Sequence, residues 1–172
     1  PHECPGLELV LVDGSYDGTL ATVIAGLEPG AVGFEAANLS VARHAWLTHA
    51  LEQRDARHLS LAPTEGVVEQ ARLVKDDFEI RTFREAARRL SAVAERVMPE
   101  ARAGRTELEV ATVIDLYIRQ AGFSRPAFDT IVAAGPNGAL PHAHPGERRL
   151  VEGDLVVLDF GGVYDSYCVD LT

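Results

Sequence analysis

Gly153-Asp154-Leu155-Val156-Val157-Leu158-Asp159-Phe160-Gly161-Gly162-Val163-Tyr164-Asp165-Ser166-Tyr167-Cys168-Val169-Asp170-Leu171-Thr172 is the stretch on which the reading of this chain turns. Leu155 to Phe160 is apolar on both faces of a two-residue period, which predicts a central strand, and a single acid, Asp159, interrupts the hydrophobes. A carboxylate in such a place is costly unless it is paired or bound to a cation. A second strand is predicted from Tyr167 to Leu171, after Gly161-Gly162 and a turn around Tyr164 to Ser166, and it carries Asp170.

Side chains alternate faces along a strand, so the loop length decides whether the two acids meet. A four-residue loop, Val163 to Ser166, places them directly opposite; a two-residue loop at Asp165-Ser166 makes them diagonal neighbours; a three-residue loop puts them on opposite faces. On one face, two like charges so close call for a neutralising cation, and pairs of divalent ions are a recurrent solution in hydrolases. The plainer reading remains open at this level: Asp165 and Asp170 as ordinary turn and edge-strand acids, Asp159 as the cap of a backbone group.

Upstream, Ile131 to Gly135 reads as a strand leading into the turn-rich run Pro136-Asn137-Gly138-Ala139-Leu140-Pro141-His142-Ala143-His144-Pro145. Neutral imidazole both donates and accepts hydrogen bonds, so this loop can hold a ligand or a substrate carbonyl, or it can carry two plain surface histidines. His2, His44, His49 and His58 show no metal-ligand spacing.

Further back the pattern is helical. Ile80, Phe83, Ala87, Leu90, Ala94 and Val97 recur at three- and four-residue spacings, Asp76 and Glu79 can cap the start, and Pro99 follows the last apolar position. Thr106 and Glu109 form a second capping box, Val110, Val113, Ile114, Tyr117 and Ile118 give the next helix its apolar face, and Gly122 ends it. Helices followed by strands define an α+β unit.

The first third alternates instead: strand Leu7 to Val12, helix Asp17 to Leu27, strand Ala31 to Glu35, helix Ser40 to Gln53, strand Leu59 to Ala62. That order predicts a small α/β unit with parallel pairing, and the turn-rich Pro63-Thr64-Glu65-Gly66 marks the approach to a boundary near residue 70.

With 47% hydrophobic and 24% charged residues among 172, the chain can bury a globular core. A net charge of -10 repels a phosphate backbone or an anionic membrane surface, so neither nucleic acid nor membrane is an expected partner. Cys4 and Cys168 lie too far apart in sequence to suggest a disulfide framework, which fits a cytoplasmic location. No apolar run approaches the length of a membrane span.

Together these residues resemble a family. Val132-Ala133-Ala134-Gly135-Pro136-Asn137 with Leu140-Pro141-His142, then Gly153 to Gly162, then Tyr164, Tyr167 and Asp170-Leu171-Thr172, look like the first half of the pita-bread catalytic domain of the Xaa-Pro aminopeptidases and Xaa-Pro dipeptidases (prolidases). Val74 to Ile80 resembles the start of that domain, and the preceding segment resembles the back end of the family's creatinase-like N-terminal domain. The resemblance implies residues 1–70 as the C-terminal part of the α/β N-terminal domain and residues 71–172 as the first half of the α+β pita-bread domain.

It further implies a dinuclear metallopeptidase that cleaves the bond before a proline in the second position. Asp159 and Asp170 fall on the family's first two metal-binding aspartates and His142 on its substrate-side histidine. The implied cofactors are two divalent ions, manganese first, with cobalt or zinc as alternatives, and the implied partners are a Xaa-Pro peptide and a second copy of the chain, the complementary C-terminal portion of the same protein, or both. Ser166 departs from the glycine of many relatives, and His144 falls at a variable position. The family's remaining ligands, one histidine and two glutamates, belong to the second half of the repeat. The expectation is therefore a fragment or one piece of a clipped enzyme, inactive alone. Two alternatives share the scaffold: a metal-free peptide-binding or protein-binding module, and a creatinase-like amidinohydrolase.

Overall fold

The computed structural model describes residues 6–28 and 30–172, so Cys4 and His2 lie outside the described residues. The chain forms two compact units that divide between Val74 and Lys75.

In the first unit, helix α1 (Tyr16–Ala25), strand β1 (Gly30–Glu35), helix α2 (Val41–Gln53), strand β2 (Leu59–Thr64) and helix α3 (Val67–Leu73) follow one another. Ser15 and Ser40 cap α1 and α2, each hydroxyl accepting a hydrogen bond from a first-turn amide. β1 and β2 pair in parallel, Gly30 opposite Leu59 through Glu35 opposite Thr64, so β2 runs through Pro63 instead of ending at Ala62. Ala21, Ile24, Leu47, Ala50, Leu51 and Ala56 form the core. The strand expected over Leu7 to Val12 is absent: those residues form no ladder and leave their apolar side chains exposed. Its short apolar run supplies one half of a pairing, and a strand needs a neighbour to satisfy its backbone groups.

In the second unit, helix α4 (Asp77–Val97) and helix α5 (Glu107–Gln120) precede strands β3 (Arg125–Pro126), β4 (Ile131–Ala134), β5 (Val156–Tyr164) and β6 (Tyr167–Leu171). Both expected capping boxes form, Asp76 with Glu79 and Thr106 with Glu109. The buried row of α4 is Thr82, Ala86, Leu90, Val93 and Val97, rotated from the expected stripe, and Ile80 and Ala87 are exposed. Small side chains at Thr82 and Ala86 let the helix approach β6 closely, while Phe83 stays at the margin and meets Tyr167 edge-on with ring centroids 5.1 Å apart. On α5 the buried row is Glu107, Val110, Ala111, Ile114 and Ile118, which places a carboxylate at the head of an apolar stripe.

β5 is the central strand, as its two-sided hydrophobicity predicts, pairing antiparallel with β3, β4 and β6. It continues through Gly161-Gly162 to Tyr164 instead of ending at Phe160. Phe160 is buried, and Val156, Leu158 and Tyr164 pack with it against the helices, joined by Val169 and Leu171 of β6. The odd-numbered residues of β5 therefore face away from the helix layer.

β5 and β6 are joined by a two-residue loop, with Tyr164 opposite Tyr167. Asp165 and Ser166 both have positive φ, 47° and 68°, as a type I′ turn requires. Aspartate tolerates that region and serine does so poorly. A left-handed non-glycine residue costs about 1–2 kcal/mol, whereas glycine adds about 0.5–1 kcal/mol of unfolded-state entropy. Ser166→Gly is accordingly expected to stabilise the second unit by about 0.5–1 kcal/mol in chemical denaturation. A destabilising result would contradict the assigned turn.

Candidate metal centre

The hairpin settles the relation between the two acids. Gly161 stands opposite Asp170, so Asp159, two residues earlier on the same face, is the diagonal neighbour of Asp170. The two-residue alternative is the one the chain adopts. Gly161 contributes no side chain between them, and a β-carbon there would lie 2.4 Å from the Val169 carbonyl oxygen and 2.8 Å from Cε1 of Phe128. The close approach of the two strands at the acid pair depends on glycine at this position.

The carboxyl group of Asp170, although exposed, is held above the usual carboxylate range, first by loss of solvation and then by the negative charge of Asp159. Thr172 adds a further contact, its hydroxyl donating to Oδ1 of Asp159 at 3.1 Å. Two converging carboxylates that resist joint ionisation fit a divalent cation, because a cation removes the repulsion and hard oxygen ligands suit it. They supply part of a shell. Among the described residues, no group of three or more His, Cys, Asp or Glu side chains could hold an ion.

His142 lies in the long connection between β4 and β5, just after the 3₁₀ turn Gly135–Ala139, and is exposed, as is His144. β4 runs beside β5 with Ile131 opposite Asp159 and Ala134 opposite Val156, so this connection springs from the Ala134–Val156 end of the strand pair, three residues along the strand from Asp159.

Two features of that connection were not anticipated from sequence. Arg148 and Asp154 form a bidentate pair at 2.8 and 3.1 Å, which holds the Asp154 carboxyl below its ordinary range. Gly135, at φ +53°, passes directly beneath: a β-carbon would lie 2.6 Å from Nη2 of Arg148 and 2.7 Å from Oδ1 of Asp154. The second feature is Glu107, whose side chain is fully buried. Its Oε1 accepts from the Ala134 amide at 2.8 Å and its Oε2 from the Gly146 amide at 3.2 Å, while Asn137 Nδ2 donates to both oxygens at 3.0 and 3.1 Å. Its place three residues before Val110 and seven before Ile114 is the signal that would have marked it as inward-facing.

The second unit thus sets a helix pair on a sheet whose central hairpin carries an acid pair on the far face. Residues 81–172 match Metallopeptidase family M24, and the chain belongs to that family. It is 30% identical over 167 residues to an uncharacterized peptidase of Bacillus subtilis, covering 97% of this chain and 46% of the relative. It is 34% identical over 108 residues to the Xaa-Pro dipeptidase of Pyrococcus horikoshii, covering 63% and 31% respectively. Among solved structures, the Xaa-Pro dipeptidase from Bacillus anthracis superposes with a TM-score of 0.88 at 34% identity, covering 96% of this chain and 45% of that one. The X-Pro aminopeptidase from Thermotoga maritima superposes with a TM-score of 0.81 at 29% identity, covering 93% and 44%. The fold is thus the α+β pita-bread fold of these enzymes, and the chain spans about half the length of such relatives. No helix among the described residues is long and apolar enough to cross a membrane.

Proposed function

We propose that the complete protein carrying this chain is a dinuclear-metal-dependent peptidase that hydrolyses the bond between an N-terminal residue and a following proline, with Asp159 and Asp170 as metal ligands. The observation that carries this reading is the diagonal convergence of the two carboxylates across the β5–β6 hairpin, with the Asp170 carboxyl held above the usual carboxylate range by lost solvation and by the charge of Asp159. The relatives named Xaa-Pro dipeptidase and X-Pro aminopeptidase support the substrate class.

In this reading a pair of divalent ions, manganese first and cobalt or zinc as alternatives, supplies Lewis-acid activation of water and of the scissile carbonyl. The chain's own residues do the rest on this half of the site. Asp159 and Asp170 hold and space the ions, Thr172 orients Asp159 through its hydroxyl, and His142 donates a hydrogen bond to the substrate side. Residues 71–172 form the first half of the catalytic domain and residues 1–70 the C-terminal part of the creatinase-like domain. The complete protein works in the cytoplasm as a homodimer.

The test is made on the complete encoded protein, stripped of metal and then loaded. Hydrolysis of a Xaa-Pro dipeptide or of a longer peptide with proline second is expected, lost on chelation and restored by Mn²⁺, with no cleavage when alanine replaces the proline. A protein that binds no divalent ion yet retains such peptides would instead be a binding module.

A further inference from the structure

We infer that Glu107 is a positioning residue: its buried carboxylate clamps both ends of the segment 134–146 and so fixes where His142 stands, an inference that rests on the substrate-side role proposed for that histidine. Ala134 ends β4 and Gly146 closes the loop, and the amides of both donate to the same carboxylate, one to each oxygen. Asn137, inside the 3₁₀ turn between them, donates to both oxygens. His142 lies within the span so closed, and its imidazole is exposed.

Every bond reaching this carboxylate is a donation to it, which is the pattern an acceptor-only group demands. The backbone reinforces the clamp from the same side: the Glu107 amide donates to the Arg148 carbonyl at 3.0 Å and the Leu108 amide to the Gly146 carbonyl at 3.1 Å. A fully buried acid is expensive to retain for packing alone. An apolar residue there would complete the stripe of α5, but it would leave two loop amides and the Asn137 side chain without this acceptor. What the acid does that leucine would not is tie the loop to the first turn of a rigid helix.

The experiment uses the complete protein with Mn²⁺ and a Xaa-Pro dipeptide. Glu107→Gln keeps the volume but turns one acceptor oxygen into a donor facing donors, so amide exchange at Ala134 and Gly146 is expected to quicken. Because displacements of about 1 Å cost on the order of a hundredfold, kcat/KM is expected to fall about 10- to 100-fold. Mn²⁺ affinity is expected to stay unchanged. In a His142→Ala background the same substitution is expected to have little further effect on kcat/KM, because the clamp acts through that imidazole. Asn137→Ala removes the amide from the loop side without placing a new donor in the core, and is expected to shift exchange and kcat/KM in the same direction by less.

Unchanged exchange in both variants, or an equal loss of kcat/KM with and without His142, overturns the inference. Full activity of His142→Ala beside an impaired Glu107→Gln overturns it too, while leaving the peptidase reading intact. Absence of hydrolysis by the unaltered protein overturns the peptidase reading instead, and the exchange rates then judge the clamp by themselves.

Discussion

Asp170→Asn is expected to make the metal-stripped protein more stable at neutral pH and the metal-loaded protein less stable than the unaltered one. The sign follows from the direction of the shift. Asp170 is held above its ordinary value by lost solvation and by Asp159, so the folded state binds the proton more tightly than the unfolded state does. Stability contributed by this group is therefore largest at low pH and is lost as pH rises from the ordinary carboxylate range through the raised value. Asparagine removes that slope along with the repulsion. With Mn²⁺ present the balance reverses, because a ligand that binds only the folded state adds about 2.7 kcal/mol at a hundred times its Kd. Removing a ligand should weaken binding by at least the roughly 10- to 100-fold typical of outer-shell losses, and that added stability then largely disappears. Thermal unfolding with and without Mn²⁺ across pH 4 to 8 checks both halves. Equal stabilisation of variant and parent by Mn²⁺ would remove Asp170 from the ligand set.

The acid pair was legible because strand periodicity is short and rigid: once two strands flank a tight turn, parity alone puts residues 159 and 170 on one face or on two. The loop length that decides the parity was not legible. Asp165 and Ser166 adopt a type I′ turn without glycine, so the usual letter for that geometry is missing. The same blindness, in reverse, made Gly161-Gly162 look like the end of a strand. Both lie inside β5, where the absent side chains admit the Val169 carbonyl on one face and the Phe123 ring on the other, a tertiary reason that no local pattern contains. On α4 the capping box and the length were plain, yet the buried row turned out to be rotated toward Thr82 and Ala86, since closeness of packing selects small residues that a hydrophobicity pattern ignores. Leu7 to Val12 shows the opposite failure, a strand-like apolar run without a ladder. Glu107 was hidden by company: beside Thr106 and Glu109 it looks like another first-turn acid favoured by the helix dipole.

Gly161→Ala and Gly162→Ala, one residue apart, are expected to fail in different ways. At Gly162 a β-carbon would lie 2.5 Å from Cδ1 of Phe123, a ring that is only 4% exposed in the core. Relief requires turning or displacing a packed aromatic ring, and overpacking of this kind costs about 1–3 kcal/mol. The acids stand on the other face of the sheet, so protein that remains folded should keep its Mn²⁺ affinity. At Gly161 the nearest atom is the Val169 carbonyl oxygen at 2.4 Å, which belongs to the neighbouring strand's backbone and has no rotamer to change. Relief there requires β5 and β6 to part at the Gly161–Asp170 pair, the pairing that brings Asp170 diagonal to Asp159. The new methyl also stands on the acids' own face. Gly161→Ala should therefore lose stability by at least as much as Gly162→Ala and, unlike it, lose Mn²⁺ affinity by about tenfold or more, in keeping with what displaced ligands cost. Denaturant unfolding and calorimetric titration with Mn²⁺ on the complete protein separate the two. If Gly161→Ala bound Mn²⁺ as the parent does, the spacing of the acids would not depend on this strand contact, and the hairpin register would have no claim to be what builds the metal centre.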